Sequence, residues 1–353
     1  MTDLQQHRGE VAWLGPSMAE QNDWTHAFTA SEIRELQTAA QFALGQDIAN
    51  LNAADFNLPG LDSILANIRY DLVDGRGFAL LRGLPVFDWP LEQTAAVYWA
   101  IGTRVGVPVA QNKVGSILGH VTDVGGDADH PNQRGHQSAD ALPFHNDIGA
   151  EIVTLLCLQG ARAGGESGLV SAATLWNELV KNRPDLAEVL TRPFYFDRRN
   201  EEIAGQAPWY KLPVFMPADG RLVTSYVPRF IRSAQRFEQV PRLTEIQHEA
   251  LDLVQTLADD PRFKLEMDFQ PGDIQLVNNL VLLHSRNEYK DWPEPERRRH
   301  LLRLWLSVTD GWPMPDAFHA RYGTDPVTGR PKGINLPAGV TFNAPLTPPA
   351  LRT

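Results

Sequence analysis

Hydrophobic residues change their spacing several times along the first third of the chain. Apolar positions recur every three to four residues over 30–45, 61–73 and 91–106, which predicts three helices. Thr29 directly precedes the first of them, with a glutamate three positions later, as in a capping box. Between the second and the third helix, residues 78–86 form a short apolar run closed by glycine and proline, which predicts a buried strand.

Strand-like runs dominate the remainder of the chain. Residues 151–161 are continuously apolar and β-rich, and a hairpin is predicted to turn at Asp219-Gly220. After a Pro-Gly-Asp turn, residues 274–285 are expected to form one long strand that ends in histidine. Residues 300–308 are the last strongly apolar run. These segments are short, and their order favours antiparallel pairing.

Two further helices interrupt the strands. The first is expected to end at Pro184, and the second follows Thr244, which we expect to cap it. Residues 264–270 alternate apolar and polar side chains, as a half-buried strand does. Such a mixture predicts an α+β fold in which a β-sandwich or jelly roll carries helices on its outside.

Irregular stretches divide this fold into parts. Residues 112–140 lose all periodicity, and loops of that length within a compact domain are usually functional. We expect a single catalytic domain over 1–353, with an N-terminal helical extension (about 1–74), a core (75–310), two lid insertions (about 112–140 and 190–245) and a C-terminal tail that wraps the surface (311–353).

Composition narrows the class of protein. The 353 residues carry a formal net charge of −11 and include one cysteine, Cys157. One cysteine excludes a disulfide scaffold, and an acidic balance without a long basic run argues against nucleic acid. No apolar stretch reaches the roughly 20 residues that span a bilayer, and the N-terminus lacks the pattern of a secretion signal. We expect a cytoplasmic protein without a membrane or nucleic-acid partner, and leave a homo-oligomer open.

A His-x-Asp triplet, His145-Asn146-Asp147, is the first candidate for chemistry. Ten histidines and 43 acidic residues in 353 positions give about one such triplet by chance, so its context matters. On extended backbone, residues i and i+2 project from one face, so His145 and Asp147 are able to converge on a metal. His284, at the end of an apolar strand, is the best third ligand. Two histidines and one carboxylate form the facial triad of non-haem Fe(II) oxygenases.

A second candidate is the basic face of the last strand. In strand register, Arg299, Leu301 and Arg303 share one face. A buried charge is costly unless it meets an opposite charge, and the planar guanidinium pairs well with carboxylates. This face therefore predicts an anionic ligand. A surface edge strand whose arginines reach solvent fits the same residues.

Five segments, in this order, resemble the Fe(II)/2-oxoglutarate-dependent dioxygenases of the taurine dioxygenase and clavaminate synthase type. They are GFALLRGLP, LPFHND, GGESGLVSA, PGDIQLVNNLVLLHSR and ERRRHLLRLWL, and they span about residues 75–310. The resemblance implies a double-stranded β-helix, or jelly roll, as the core. It also implies Fe(II) held by His145, Asp147 and His284, with 2-oxoglutarate as cosubstrate and O2 as oxidant.

The same resemblance assigns the contacts of the cosubstrate. It implies that Arg299, fifteen residues beyond His284, binds the distal carboxylate of 2-oxoglutarate. Ser167 stands where the family often has threonine, and it would take over the role of that hydroxyl. Arg303 matches a position that meets an anionic group of substrate or cosubstrate in relatives, which makes it a candidate substrate contact.

The implied reaction is the hydroxylation of an unactivated C–H bond in a small, anionic or amino-acid-like molecule, with release of succinate and CO2. Asp147 favours hydroxylation, because relatives that halogenate lack this carboxylate, while desaturation and cyclisation stay open. Two other classes remain as alternatives. One is a jelly-roll protein that binds 2-oxoglutarate without turnover, and the other is a zinc-dependent, cupin-like hydrolase or isomerase.

Overall fold

The computed structural model describes residues 4–125, 135–147, 149–320, 324–325, 327 and 329–348. Part of the first predicted lid insertion, 126–134, lies outside the described residues. The α-helices of the described residues are α1 (Gly15–Ala19), α2 (Ala30–Gln41), α3 (Asp62–Val73), α4 (Leu91–Val105), α5 (Ala172–Asn182), α6 (Pro184–Leu190), α7 (Pro228–Ser233) and α8 (Glu245–Asp259).

The strands of the described residues are β1 (Thr25–Ala27), β2 (Phe78–Arg82), β3 (Val107–Pro108), β4 (Leu118–Val121), β5 (Leu142–His145), β6 (Ile152–Gln159), β7 (Ala163–Gly164), β8 (Ser167–Ser171), β9 (Phe194–Asp197), β10 (Trp209–Leu212), β11 (Phe215–Ala218), β12 (Arg221–Thr224), β13 (Leu265–Met267), β14 (Ile274–Asn278), β15 (Leu282–Arg286), β16 (Tyr289–Lys290) and β17 (His300–Ser307). Short 3₁₀ helices cover Ile48–Asn50, Ala53–Asp55, Gly135–Gln137, Ala234–Arg236, Pro295–Arg297 and Asp316–Ala320.

Two sheets form the centre of the molecule. One has the strand order β1-β2-β14-β6-β17-β3, with β4 also paired to β17, and the other has the order β13-β8-β15-β5. All pairs within them are antiparallel except β1 with β2. Apolar side chains from both sheets meet between them, among them Phe78 and Val277 from one sheet and Leu169 and Leu282 from the other. The α+β prediction with a jelly-roll core is confirmed.

Helices cover the outer face of the larger sheet. Helix α4 is buried along most of its length, and it lies so close to β17 that a Cβ at Gly102 would come within 2.4 Å of the Leu304 side chain. The Tyr98 hydroxyl lies 2.5 Å from Thr154 Oγ1 and accepts the Leu304 N–H at 3.2 Å. The helical layer therefore fixes the position of β17 within the sheet.

Among the described residues, no helix combines the length and apolar composition needed to cross a bilayer.

The predicted helix caps are confirmed. Thr29 and Thr244 each accept a hydrogen bond from the backbone N–H three residues later, and the side chain at that later position accepts one from the backbone N–H of the threonine. Pro184 ends α5 as predicted, but it also begins α6, because proline is well accommodated in the first turn of a helix. The hairpin at Asp219-Gly220 is confirmed as well, with φ values of 49° and 76° at these two residues.

The prediction of one long strand over 274–285 is wrong, since the chain changes sheets in the middle of it. Strand β14 belongs to the larger sheet and β15 to the smaller one. Asn278 makes the crossing, because its side-chain oxygen accepts the Leu280 N–H at 2.9 Å and its amide donates to the Leu72 carbonyl at 2.9 Å. An asparagine that bonds its own backbone two residues on favours a turn over a strand.

The irregular region predicted over 112–140 is partly wrong too. It contains β4, which adds to the larger sheet beside β17. His120 therefore lies in a strand, where its Nδ1 is 2.8 Å from His300 Nε2.

The C-terminal tail is fastened to the core by a buried ion pair. Arg330 and Glu151 are almost fully buried, and Arg330 Nη1 lies 2.6 Å from Glu151 Oε1. Glu151 also accepts the Val308 N–H at 3.0 Å, at the end of β17. A buried carboxylate that loses its cation keeps the cost of desolvation without the compensating attraction.

We expect Arg330→Met to lower the free energy of unfolding by about 3–5 kcal/mol, because it leaves Glu151 buried and unpaired. The double variant with Glu151→Gln should recover much of this loss. Arg192→Met, which removes an exposed pair with Glu188, should stay within about 0.5 kcal/mol of the parent. Chemical denaturation measures all three, and an equal loss in the single and double variants would contradict the assignment.

Candidate active site

Three side chains from the two predicted motifs meet at one end of the space between the sheets. One ligand atom from each of His145, Asp147 and His284 lies within 4.8 Å of the other two. His145 and His284 are directly opposite each other on neighbouring strands, β5 and β15, with ring centroids 4.5 Å apart. The structure therefore brings the predicted triad together, in an arrangement that fits a single metal ion.

The surroundings of both imidazoles favour the neutral form, which is the form that binds a metal ion. His145 Nδ1 lies 2.8 Å from the Pro143 carbonyl, and a proton donated there leaves Nε2 for a metal. Burial lowers the pKa of His284 to about 3, and it lowers the pKa of His145 as well. The Nδ1 atom of His284 is buried and has no hydrogen-bond partner among the described residues. Metal ligation needs neutral imidazoles with a lone pair available, so this donor set fits a metal ion.

Asp147 is kept ionised by its neighbours. Burial by itself would raise its pKa, but the Arg303 guanidinium, both imidazoles and the Trp305 N–H hold the pKa of this carboxyl well below its usual range. Trp305 Nε1 donates to Oδ2 at 2.8 Å, and Arg303 Nη1 donates to the same oxygen at 3.2 Å. These two donors from β17 fix the carboxylate facing the imidazoles of the smaller sheet.

Two asparagines hold the backbone of the His-x-Asp segment. The Asn279 side chain accepts the Asp147 N–H at 2.7 Å and donates to the carbonyls of Asp147 and Ala150. Asn146 donates to the carbonyls of Asn279 and Leu282, at 2.7 and 2.9 Å. The chain that changes sheets and the chain that carries Asp147 are thus locked to each other.

Arg303 has partners within the protein. Its Nε donates to Gln111 Oε1 at 2.8 Å, and Nη1 reaches Asp147 as described above. The anion that this arginine was predicted to need is therefore at least in part Asp147. Its role as a substrate contact stays a prediction.

Arg299 directly precedes β17, four residues before Arg303. It is 5% exposed, its guanidinium packs 5.1 Å from the centroid of the Tyr289 ring, and its Nη1 has no hydrogen-bond partner among the described residues. Burial lowers the pKa of this guanidinium. Gly165, with φ at 83°, lies against it, since a Cβ there would approach Arg299 Nε at 3.2 Å. A buried cation with an unpaired N–H is suited to an anionic ligand.

Ser167 begins β8, in the segment whose Gly165 lies against Arg299. It is buried, follows Gly165 by two residues, and pairs directly with Arg286 on β15. The two arms of the predicted cosubstrate site, the GGES segment and the arginine strand, therefore converge. Whether the Ser167 hydroxyl binds a ligand stays a prediction.

The sequence patterns did not identify every residue of this site. Trp305 donates to Asp147, but a tryptophan in an apolar strand is ordinarily a packing residue. Arg286 follows His284 by two residues. The alternation of side chains along a strand places it on the same face as His284, and this was the one sequence pattern that pointed to it.

Comparisons with known proteins agree with this geometry. The profile of the taurine catabolism dioxygenase TauD, TfdA family matches residues 35–305. The chain is 30% identical over 312 residues to the FR-33289 synthase of Streptomyces rubellomurinus, covering 87% of this chain and 92% of the relative. It is 34% identical over 160 residues to a uridine-5'-phosphate dioxygenase of an Amycolatopsis species, covering 45% and 56%.

A solved structure shows the same fold. It is an asparagine oxygenase in complex with Fe(II), 3-hydroxyasparagine and succinate, with a TM-score of 0.60 and 18% identity, and the match covers 80% of this chain and 93% of that one. From the family match, the chain belongs to the TauD/TfdA dioxygenase family. It is a 2-oxoglutarate-dependent non-haem iron dioxygenase, and Fe(II) and 2-oxoglutarate are its cofactor and cosubstrate. The zinc hydrolase alternative is thereby set aside.

The bond from Trp305 to Asp147 is open to a direct test. Trp305→Phe keeps the aromatic ring but removes the N–H, and partners of metal ligands typically contribute tenfold to a hundredfold in affinity. We therefore expect the variant to bind Mn(II), in the absence of oxygen, about tenfold or more weakly. Trp176→Phe is the matched control, because that indole donates to the Gln5 carbonyl outside the site. Isothermal titration would contradict the assignment if both variants bound the metal like the parent.

Proposed function

We propose that the chain hydroxylates an unactivated C–H bond of a small anionic or amino-acid-like molecule, with His145, Asp147 and His284 as the ligands of Fe(II). The observation that carries this proposal is the convergence of the three ligand atoms within 4.8 Å, beside a carboxylate held ionised by two donors. When bound, Fe(II) and 2-oxoglutarate would supply O2 activation: oxidative decarboxylation of the cosubstrate releases CO2 and takes one oxygen atom of O2 into succinate, and the other oxygen atom is transferred to the substrate.

The residues of the chain then serve to position the metal and the cosubstrate and to enclose them. Arg303 and Trp305 keep Asp147 charged and fixed in direction, and Pro143 orients the His145 ring through its carbonyl. Arg299 is proposed to bind the distal carboxylate of 2-oxoglutarate, with Ser167 beside it. The apolar side chains between the sheets exclude water from the region around the metal.

A series of contacts connects the triad to a basic segment of the chain. Lys113 follows Gln111, the partner of Arg303, by two residues, and its ammonium contacts the Asn200 carbonyl. The two residues before Asn200 are Arg198 and Arg199, each about 8% exposed. A contact chain therefore leads from the Asp147 carboxylate to a basic segment, in the region predicted from the sequence as the second lid insertion. Such a cluster is suited to a carboxylate or phosphate group of a substrate.

Names of similar proteins point to the same range of substrates. One is called a uridine-5'-phosphate dioxygenase, and the solved structure of another holds 3-hydroxyasparagine. We therefore propose two substrate groups for a first screen, phosphate-bearing metabolites and free amino acids. Succinate release identifies the substrate. A product mass greater by one oxygen indicates hydroxylation, and a mass lower by two hydrogens indicates desaturation or cyclisation.

His145→Ala and Asp147→Asn test the metal ligands. Anaerobic addition of Fe(II) and 2-oxoglutarate to the parent should produce the metal-to-ligand charge-transfer absorption, and admission of air should then yield succinate. We expect both variants to lose the absorption and the succinate, because each removes one of three ligands.

His248→Ala is the control for this experiment, since His248 is exposed on α8, outside the site. It should behave like the parent. Unchanged absorption and succinate in His145→Ala and Asp147→Asn would contradict the ligand assignment. Absorption in the parent without succinate from any screened substrate would contradict the two proposed substrate groups.

A further inference from the structure

A second buried arginine lies beside Arg299, where the family resemblance assigned one. Arg286 is 6% exposed, and its guanidinium packs 4.7 Å from the centroid of the Tyr289 ring. Arg299 packs on the same ring at 5.1 Å. The two guanidinium groups therefore share one aromatic neighbour. Their positive charges repel each other in a region with little solvent to screen them.

Both arginines have unused donors. Among the described residues, Nε and Nη1 of Arg286 and Nη1 of Arg299 are buried without any hydrogen-bond partner. Leaving one buried donor unsatisfied costs about 1–3 kcal/mol, and more for a charged group. Three such atoms in two adjacent cations therefore indicate a binding site for an anion.

The remaining nitrogen of Arg286 holds the group in place. Its Nη2 donates to the Ser138 carbonyl at 2.9 Å and also contacts the Asp140 carbonyl. The Tyr289 N–H donates to the Ala139 carbonyl between them at 3.1 Å. Because Nη2 is fixed by backbone carbonyls, the guanidinium cannot turn its other donors away.

The placement of Arg286 within the sheet puts it on the face of β15 that carries His284. It follows His284 by two residues on β15, so both side chains project from the same face. On the next strand it pairs with Ser167. Arg286 and Arg299 are both buried, and each places a like charge close to the other. A bound carboxylate would relieve both sources of destabilisation.

We propose that Arg286 is a second cosubstrate-binding residue, and that the distal carboxylate of 2-oxoglutarate lies between Arg286 and Arg299. This inference rests on the proposed function, since it uses the same cosubstrate site. A carboxylate has two oxygens, so one cation on each side satisfies donors that neither arginine uses within the protein. The pair selects 2-oxo acids that carry a second carboxylate, because a ligand without it leaves two like charges buried and unpaired.

Ligand binding without turnover tests this. The Mn(II)-loaded protein is titrated calorimetrically, in the absence of oxygen, with 2-oxoglutarate and with 2-oxobutanoate, which lacks the distal carboxylate. We expect Arg286→Met to weaken 2-oxoglutarate binding by about tenfold to a hundredfold, the effect of losing hydrogen bonds to a charged group. Binding of 2-oxobutanoate should not weaken. Arg286→Lys should recover part of the loss, since it restores a cation.

Arg104→Met is the matched control. Arg104 also donates to a backbone carbonyl, that of Phe56 at 2.7 Å, but it lies on α4, outside the candidate active site. It should leave both affinities unchanged. Equal weakening of both ligands in Arg286→Met would show a structural role and overturn the inference, as would unchanged 2-oxoglutarate binding. If Arg299→Met alone weakens 2-oxoglutarate, the proposed function stands without this inference. If the parent binds no 2-oxoglutarate, both fail.

Discussion

The contact between Asp147 and the strand that carries Arg303 and Trp305 is the interaction on which the site depends. A carboxylate at this depth would take up a proton if burial were its only influence. The guanidinium and the indole N–H reverse this, and both belong to β17. The larger sheet thus sets the charge and direction of a side chain whose backbone continues from the smaller sheet.

This contact also explains the asparagines near the site. Asp147 cannot meet β17 unless its backbone is held between the sheets, and the side chains of Asn146 and Asn279 hold it there through six hydrogen bonds to main-chain groups. Asn279 directly follows Asn278, which turns the chain from β14 into β15. The same turn carries His284 to its position opposite His145. Fold and site are therefore specified by one short segment.

The sequence predicted the helices, the turns and the metal-ligand triplet better than it predicted how the chain passes from one sheet to the other. Helices with capping residues, such as the one after Thr244, and the Asp219-Gly220 turn depend on local interactions, so a single sequence suffices. The His-x-Asp triplet was found in the same way. The change of sheet at Asn278 was missed, because the apolar residues on both sides continue one alternation, and only pairing with distant strands separates them. Trp305 and Arg286 were missed for a related reason: their roles depend on partners that are remote in sequence or belong to a ligand.

A structure of the protein with Mn(II) and 2-oxoglutarate, crystallised without oxygen, tests the account most directly. We predict that the metal is bound by one nitrogen each of His145 and His284 and by the Asp147 carboxylate, with Arg303 and Trp305 still donating to Asp147. The distal carboxylate of the cosubstrate should contact Arg299. A metal bound by other residues, or a cosubstrate whose distal carboxylate lies away from Arg299, would contradict it.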